Sequence, residues 1–182
     1  MLSLEKIRYN LTPSWEEVEM SQAEQQVDLL LRRKIEARVL LPVIQAFEKR
    51  LGKEETRKIV SDALKEISRK DGRAKAEALG GNKLEDLAAG VIPMWAGSGH
   101  LEIEMKESTE EILRFDVTRC DYVALYEELG LGDFKETLSC GRDWAFLEGF
   151  NPDLELHRDQ TLAAGDKVCN FCYRKKTPEL PG

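Results

Sequence analysis

The apolar residues of this chain change their period near residue 97, and that change limits what the chain can fold into. Before "AGSG" they recur three and four apart; after it they alternate. The first spacing lays apolar side chains along one stripe of a helix, and the second lays them on one face of a strand. Residues 14 to about 96 therefore read as helical. Ser14 stands as N-cap with Glu17 at capping-box distance. Val27, Leu30, Leu31, Ile35, Val39, Leu40, Val43, Ile44, Phe47 and Leu51 then form an amphipathic helix. Pro42 is expected to kink or split it near Leu41, and Gly52 to end it. A second helix runs from Lys53 to about Lys70, with Ile59, Val60, Ala63, Leu64 and Ile67 on one side. "KDGRAKAEALGG" breaks it and leads into a small-residue helix that stops at Gly80–Gly81. "KLEDLAAGVIPMW" is a short fourth helix ending around Pro93.

Beyond the joint, Leu101 to Lys106 and Ile112 to Thr118 alternate apolar and polar residues and read as a β-hairpin. "CDYVALYEELG" is a helix closed by Gly130. "DFKETLSCGRDWAFLEGF" is helical over most of its length and breaks at "NPD". "DLELHRDQTL" and "KVCNFCYRK" form a second pair of strands across "AAGD". The expected fold class is α+β: an N-terminal helical half (1–96) and a ββααββ module with a small antiparallel sheet (97–176). The two parts read as one integrated domain, followed by a loose tail (177–182).

Composition removes several function classes. A net charge of −7 over 182 residues, with no long basic run, disfavours nucleic acid and anionic membrane as partners. No apolar run approaches the ~18 residues of a membrane span. The first residues carry acids and no apolar h-region, so no signal peptide is expected and a cytoplasmic location follows. In that compartment the four cysteines are thiols rather than disulfides.

The polar residues suited to chemistry lie in the last third. Alternation puts Cys169, Phe171 and Tyr173 on one face of the final strand and Cys172 on the other, so its C-x-x-C is neither a redox nor a zinc pair. Cys140 and Asp143 are three apart and share a helix face. Cys120 opens a helix, where amide N–H groups favour a thiolate. Three separate elements can thus bring Cys120, Cys140 and Cys169 together. Buried cysteines also fill space as small apolar groups, Trp144 and its neighbours also serve as core, and His157, Arg142 and Arg158 also serve as surface residues.

The stretch from "RCDYVALYEELG" through "SCGRDWAFLEGFNPD" and "HRDQT" to "GDKVCNFCY" resembles the C-terminal signature of the L-2-amino-thiazoline-4-carboxylic acid hydrolase family. Cys120, Cys140, Asp143, Gly149 to Asp153, Arg158, Gln160, Thr161, Gly165, Cys169, Phe171 and Tyr173 carry the likeness. Arg33, Glu36, Ala37 and Arg38 match its helical lead-in. His157 and Asp159 around Arg158, Asn170 and the extra Cys172 depart from the pattern and bear on which substrate is taken.

The resemblance implies a hydrolase acting on a cyclic amidine: water opens the thiazoline ring with loss of the C–S bond, giving N-carbamoyl-L-cysteine. Such a reaction needs a nucleophile, an acid/base group and a cation for the substrate carboxylate. Asp143 is the candidate acid/base. Cys140 or Cys169 attacks the ring or positions water, with Cys120 beside them. Arg158 or Arg38 holds the carboxylate, and Trp144, Phe171, Tyr173 and His157 line the substrate. No cofactor is required, although Cys120, Cys140 and Cys169 with Asp143 would also suit zinc or iron. The expected partner is a small carboxylate substrate, and the N-terminal helices offer a surface for a homodimer. Two other classes fit the same layout: a small-molecule or redox sensor that binds without turnover, and a subunit of a larger enzyme.

Overall fold

The computed structural model describes residues 27–97 and 99–177. The capping expected at Ser14 and Glu17 lies outside them. Helix α1 (Leu29–Leu51) starts where the Asp28 carboxylate accepts the Leu31 N–H at 3.1 Å. It ends at Gly52, whose φ of 83° suits glycine. Pro42 does not split this helix, which runs on past it to Leu51. Pro42 and Arg38 are both exposed, so the carbonyl that loses its N–H partner faces water. The buried stripe is narrower than the sequence suggests. Ala37 and Ile44 are buried, while Leu31, Ile35, Val39, Val43, Phe47 and Leu51 form an exposed row.

Helix α2 (Lys53–Leu79) runs unbroken through the expected break at "KDGRAKAEALGG". Its Gly72 is not a helix breaker but a point of close approach. A Cβ there would sit 2.1 Å from the Phe146 carbonyl oxygen, and one on Gly149 would sit 2.0 Å from the Arg69 carbonyl oxygen. Tertiary contact has overridden the ~1 kcal/mol propensity cost of glycine in a helix. Helix α3 (Leu84–Asp86) passes through a π-helical turn (Leu87–Val91) into α4 (Ile92–Ala96). Pro93 sits in the first turn of α4 and does not end the helical run.

The expected ββααββ order holds. Strands β1 (Leu101–Ser108) and β2 (Ile112–Cys120) form the first hairpin. Helix α5 (Asp121–Glu128), a 3₁₀ turn (Gly132–Phe134), α6 (Lys135–Leu138), a second 3₁₀ turn (Cys140–Arg142) and α7 (Asp143–Phe150) follow. Strands β3 (Leu154–His157) and β4 (Cys169–Lys175) complete one antiparallel sheet in the order β1-β2-β4-β3. Register pairs Leu113 with Tyr173, Phe115 with Phe171 and Val117 with Cys169. All six face inward and are buried, and Phe115 stacks on Phe171 with ring centroids 4.8 Å apart. Helix α7 covers this face with Phe146, Leu147 and Phe150. A second core joins α1 to α5 and α6 through Ala37, Ile44, Tyr122, Tyr126, Leu131, Phe134 and Leu138. Leu101 and Cys120 touch both cores and mark the seam between them.

Candidate active site

At that seam lies a hollow of about 570 Å³, within the size range of small-molecule sites. Helices, strands and a turn from both halves of the chain supply its walls. Helix α1 contributes Arg32 and Arg33, α2 contributes Ser68, and β2 contributes Val117 and Cys120 at its end. The turn before α7 and α7 itself contribute Cys140, Arg142, Asp143 and Phe146, and β4 contributes Cys169 and Phe171. Trp95 closes one side, with its ring 5.4 Å from that of Phe146 in an edge-on contact. The three sulfurs and the carboxylate, distant in sequence, line one cavity.

Two devices hold the turn that carries Cys140 and Asp143. Ser68 Oγ donates to the Arg142 carbonyl at 3.1 Å, tying the turn to α2. Arg158, whose side chain is fully buried, donates through Nη1 to Asp143 Oδ2 at 2.6 Å and through Nη2 to the Cys140 carbonyl at 2.9 Å. Its guanidinium lies between the Trp144 and Phe171 rings, 4.5 and 4.7 Å from their centroids. Arg158 thus acts from behind the hollow as the clamp of Asp143.

Burial governs the titration of the site. It pushes the Asp143 carboxyl above its ordinary value, against the pull of the Arg158 charge and hydrogen bond. Burial also works against the charge on Arg158, but Asp143, Cys140 and Tyr173 together more than offset it. The Cys140 thiol is pushed up to about 12, by burial first and by the Asp143 charge second. Cys169 is raised by burial although its sulfur accepts the Leu162 N–H at 3.2 Å. The thiolate expected at Cys120 is not favoured. Burial raises that thiol too, and the amides of Val123 and Tyr122 only partly oppose it. The hollow is therefore walled by protonated thiols.

Not every residue read as a site candidate reaches the hollow. Arg38 is exposed on α1, pointing away from it. His157 lies on the solvent side of the sheet, 3.3 Å from Glu155, because alternation along β3 turns it opposite to the buried Leu156. Trp144 is 41% exposed; it donates to the Leu156 carbonyl at 3.1 Å and covers Arg158 from outside. Tyr173 is buried beneath the hollow, its hydroxyl without a hydrogen-bond partner among the described residues. Cys172 faces the other side of the sheet, its sulfur 3.5 Å from Arg114 Nε, so the C-x-x-C is split as alternation required. All four cysteines are free. Among the described residues no three His, Cys, Asp or Glu side chains form a group that could hold a metal ion. Cys120, Cys140, Cys169 and Asp143 share a cavity without being a ligand cluster.

In place of Arg38, the hollow holds Arg32, Arg33 and Arg142. From sequence Arg142 reads either as a polar residue suited to chemistry or as a surface charge. The 3₁₀ turn at Cys140–Arg142 carries it inward, and helical periodicity alone does not report such a turn. Its position between Cys140 and Asp143 was the one available signal.

A model of the L-2-amino-thiazoline-4-carboxylic acid hydrolase family matches residues 32–173 of the 182. The chain belongs to that family. The match takes in Arg32, Arg33, Ser68, Cys120, Cys140, Arg142, Asp143, Cys169 and Phe171 of the hollow's wall. No curated protein matches the chain. No helix among the described residues is long and apolar enough to cross a membrane.

Proposed function

We propose that the chain is a hydrolase that opens a small cyclic amidine, of the kind represented by L-2-amino-thiazoline-4-carboxylate, to N-carbamoyl-L-cysteine. The observation that carries this reading is the convergence of Asp143, gripped by Arg158, with three thiols in one ligand-sized hollow. The name of the family supplies the substrate.

Asp143 is assigned the acid/base role. A carboxyl raised by burial and held in place by a guanidinium can take a proton in one step and return it in the next. Cys140 is assigned the attack. Its thiol proton passes to Asp143 as Sγ bonds to the ring carbon between nitrogen and sulfur. The ring C–S bond then breaks, and the departing sulfur takes the proton from Asp143. Water adds to the resulting isothiourea carbon, its proton going to Asp143, and the Cys140 C–S bond breaks with reprotonation of Sγ. One water is consumed; its oxygen becomes the carbamoyl oxygen. The raised Cys140 thiol favours a second route, in which Asp143 activates water directly and the thiols stay neutral.

Incubation with L-2-amino-thiazoline-4-carboxylate, with N-carbamoyl-L-cysteine followed by mass spectrometry, tests the reading. Turnover that falls on the order of 10²–10⁴-fold in Asp143→Asn supports the acid/base role. Binding without any product would leave a sensor in place of an enzyme. An adduct on Cys140 in the acid-quenched protein supports covalent attack, whereas full turnover by Cys140→Ala selects the water route.

A further inference from the structure

The cations of the hollow are unevenly matched. Arg32 Nε and Arg33 Nη1 both bond Glu36, at 2.9 and 2.6 Å, and the charge of Asp143 is answered by Arg158. Arg142 is 9% exposed and lines the hollow, yet among the described residues its side chain makes no hydrogen bond and no ion pair. Glu36 is thus shared by two arginines of α1, and Arg142 makes no hydrogen bond to it. A buried guanidinium left without a partner is costly, and chains keep one where something else completes it. Burial and the neighbouring Arg33 charge both lower the Arg142 value, the direction expected of a cation awaiting an anion. A planar fork of N–H groups suits a carboxylate held through both oxygens.

We propose that Arg142, supported by Arg33, is an anion subsite that binds the carboxylate of a small organic acid and turns the rest of that molecule toward Asp143 and the thiols. This rests on the reading that the hollow is the reaction site, and it restricts the substrate class to molecules bearing a carboxylate. It also moves the anion-holding role away from Arg158 and Arg38. Arg158 is committed to Asp143, and Arg38 faces solvent.

Calorimetric titration separates the subsite from the reaction. The ligands are L-2-amino-thiazoline-4-carboxylate and 2-amino-thiazoline, which lacks the carboxylate. The proteins are the wild type, Arg142→Met and Arg142→Lys. The wild type should bind the carboxylate at least tenfold more tightly than the parent ring. Arg142→Met should erase that preference, and Arg142→Lys should restore part of it. The ligand-free Arg142→Met protein should melt no lower than the wild type, because it loses a buried charge that has no partner. A lowered melting temperature in the free variant would mean that Arg142 is a structural residue, and it overturns the proposal. So does undiminished carboxylate binding by Arg142→Met. Arg142-dependent binding in a protein that forms no product removes the hydrolase reading and leaves the subsite. Product formation with an unchanged KM in Arg142→Met removes the subsite and leaves the hydrolase. A wild type that binds neither ligand removes both.

Discussion

Replacing Arg158 by Met keeps much of the side chain's volume and removes its charge, which isolates the clamp on Asp143. The pair is 2.6 Å apart, with the Arg158 side chain fully buried and that of Asp143 18% exposed. Removing one partner of a buried ion pair leaves the other uncompensated, at a cost of about 3–5 kcal/mol. Part of that loss is not charge: the guanidinium also stacks between Trp144 and Phe171, contacts worth roughly 0.5–2 kcal/mol each. The two parts separate by pH. Without Arg158, only the Arg142 charge still opposes burial, and the Asp143 value moves further above that of the unfolded chain, near ~4. A carboxyl whose folded value is raised holds its proton more tightly when folded. Stability is then lost as pH rises from ~4 toward the folded value, and below ~4 both states are protonated and the charge penalty vanishes. Urea denaturation followed by circular dichroism should show Arg158→Met losing about 3–5 kcal/mol at pH 8 and only the smaller stacking part at pH 3.5. Adding Asp143→Leu should recover stability at pH 8, because a matched apolar pair replaces a broken ionic one. A loss of equal size at both pH values, or a double variant no more stable than Arg158→Met, would refute the account of the clamp.

Three further outcomes are expected. Gly149→Ala and Gly72→Ala should each lower stability by about 1–3 kcal/mol despite the ~1 kcal/mol that alanine adds to a helix, since each Cβ meets backbone near 2 Å; thermal melting checks this, and a raised melting temperature would contradict the crossing. Dithionitrobenzoate at pH 8 should modify Cys172 first, and Cys172→Ser should remove that fast phase, because Cys140, held near 12, offers only about one thiolate in 10⁴. Asp28→Ala should cost about 1 kcal/mol at pH 7 by removing the α1 cap and the 2.8 Å contact with His100. The His100 hydrogen bond, first, and the Leu31 amide hold the Asp28 value below the ordinary range. Its contribution is therefore present above ~4 and fades as pH falls below that, so wild type and variant should converge in acid unfolding curves.

The sheet was legible because alternation is a two-residue rule with few ways to go wrong. Leu113, Phe115, Val117, Cys169, Phe171 and Tyr173 all face the side that the period assigned them. The separation of Cys169 from Cys172, and the meeting of Cys120, Cys140 and Cys169, followed from the same rule and from the element order. The helices were read less well because breakers are local signals and their outcome is set by contacts. Pro42 lies on an exposed face where a lost hydrogen bond is replaced by water, and Gly72 is where α7 comes closest. The exposed row from Leu31 to Leu51 shows the converse: periodicity says that residues share a face, not that anything covers it. Arg38 and Arg142 exchanged expectations for a similar reason. An arginine in an amphipathic helix was legible as a cation but not by its direction, and a 3₁₀ turn three residues long carries no periodic signature at all.

Main chain meets main chain where Gly72 and Gly149 bring α2 against α7. Contacts made of side chains settle by small rotamer adjustments; at this crossing point there are none to make. The first residue of α7, less than two turns before Gly149, inherits that fixity and anchors the whole chemical wall to the N-terminal half. Hollow-lining side chains could be exchanged to suit another ligand while the frame keeps its coordinates, but the C-terminal module cut away from α2 would lose the surface from which Asp143 is aimed.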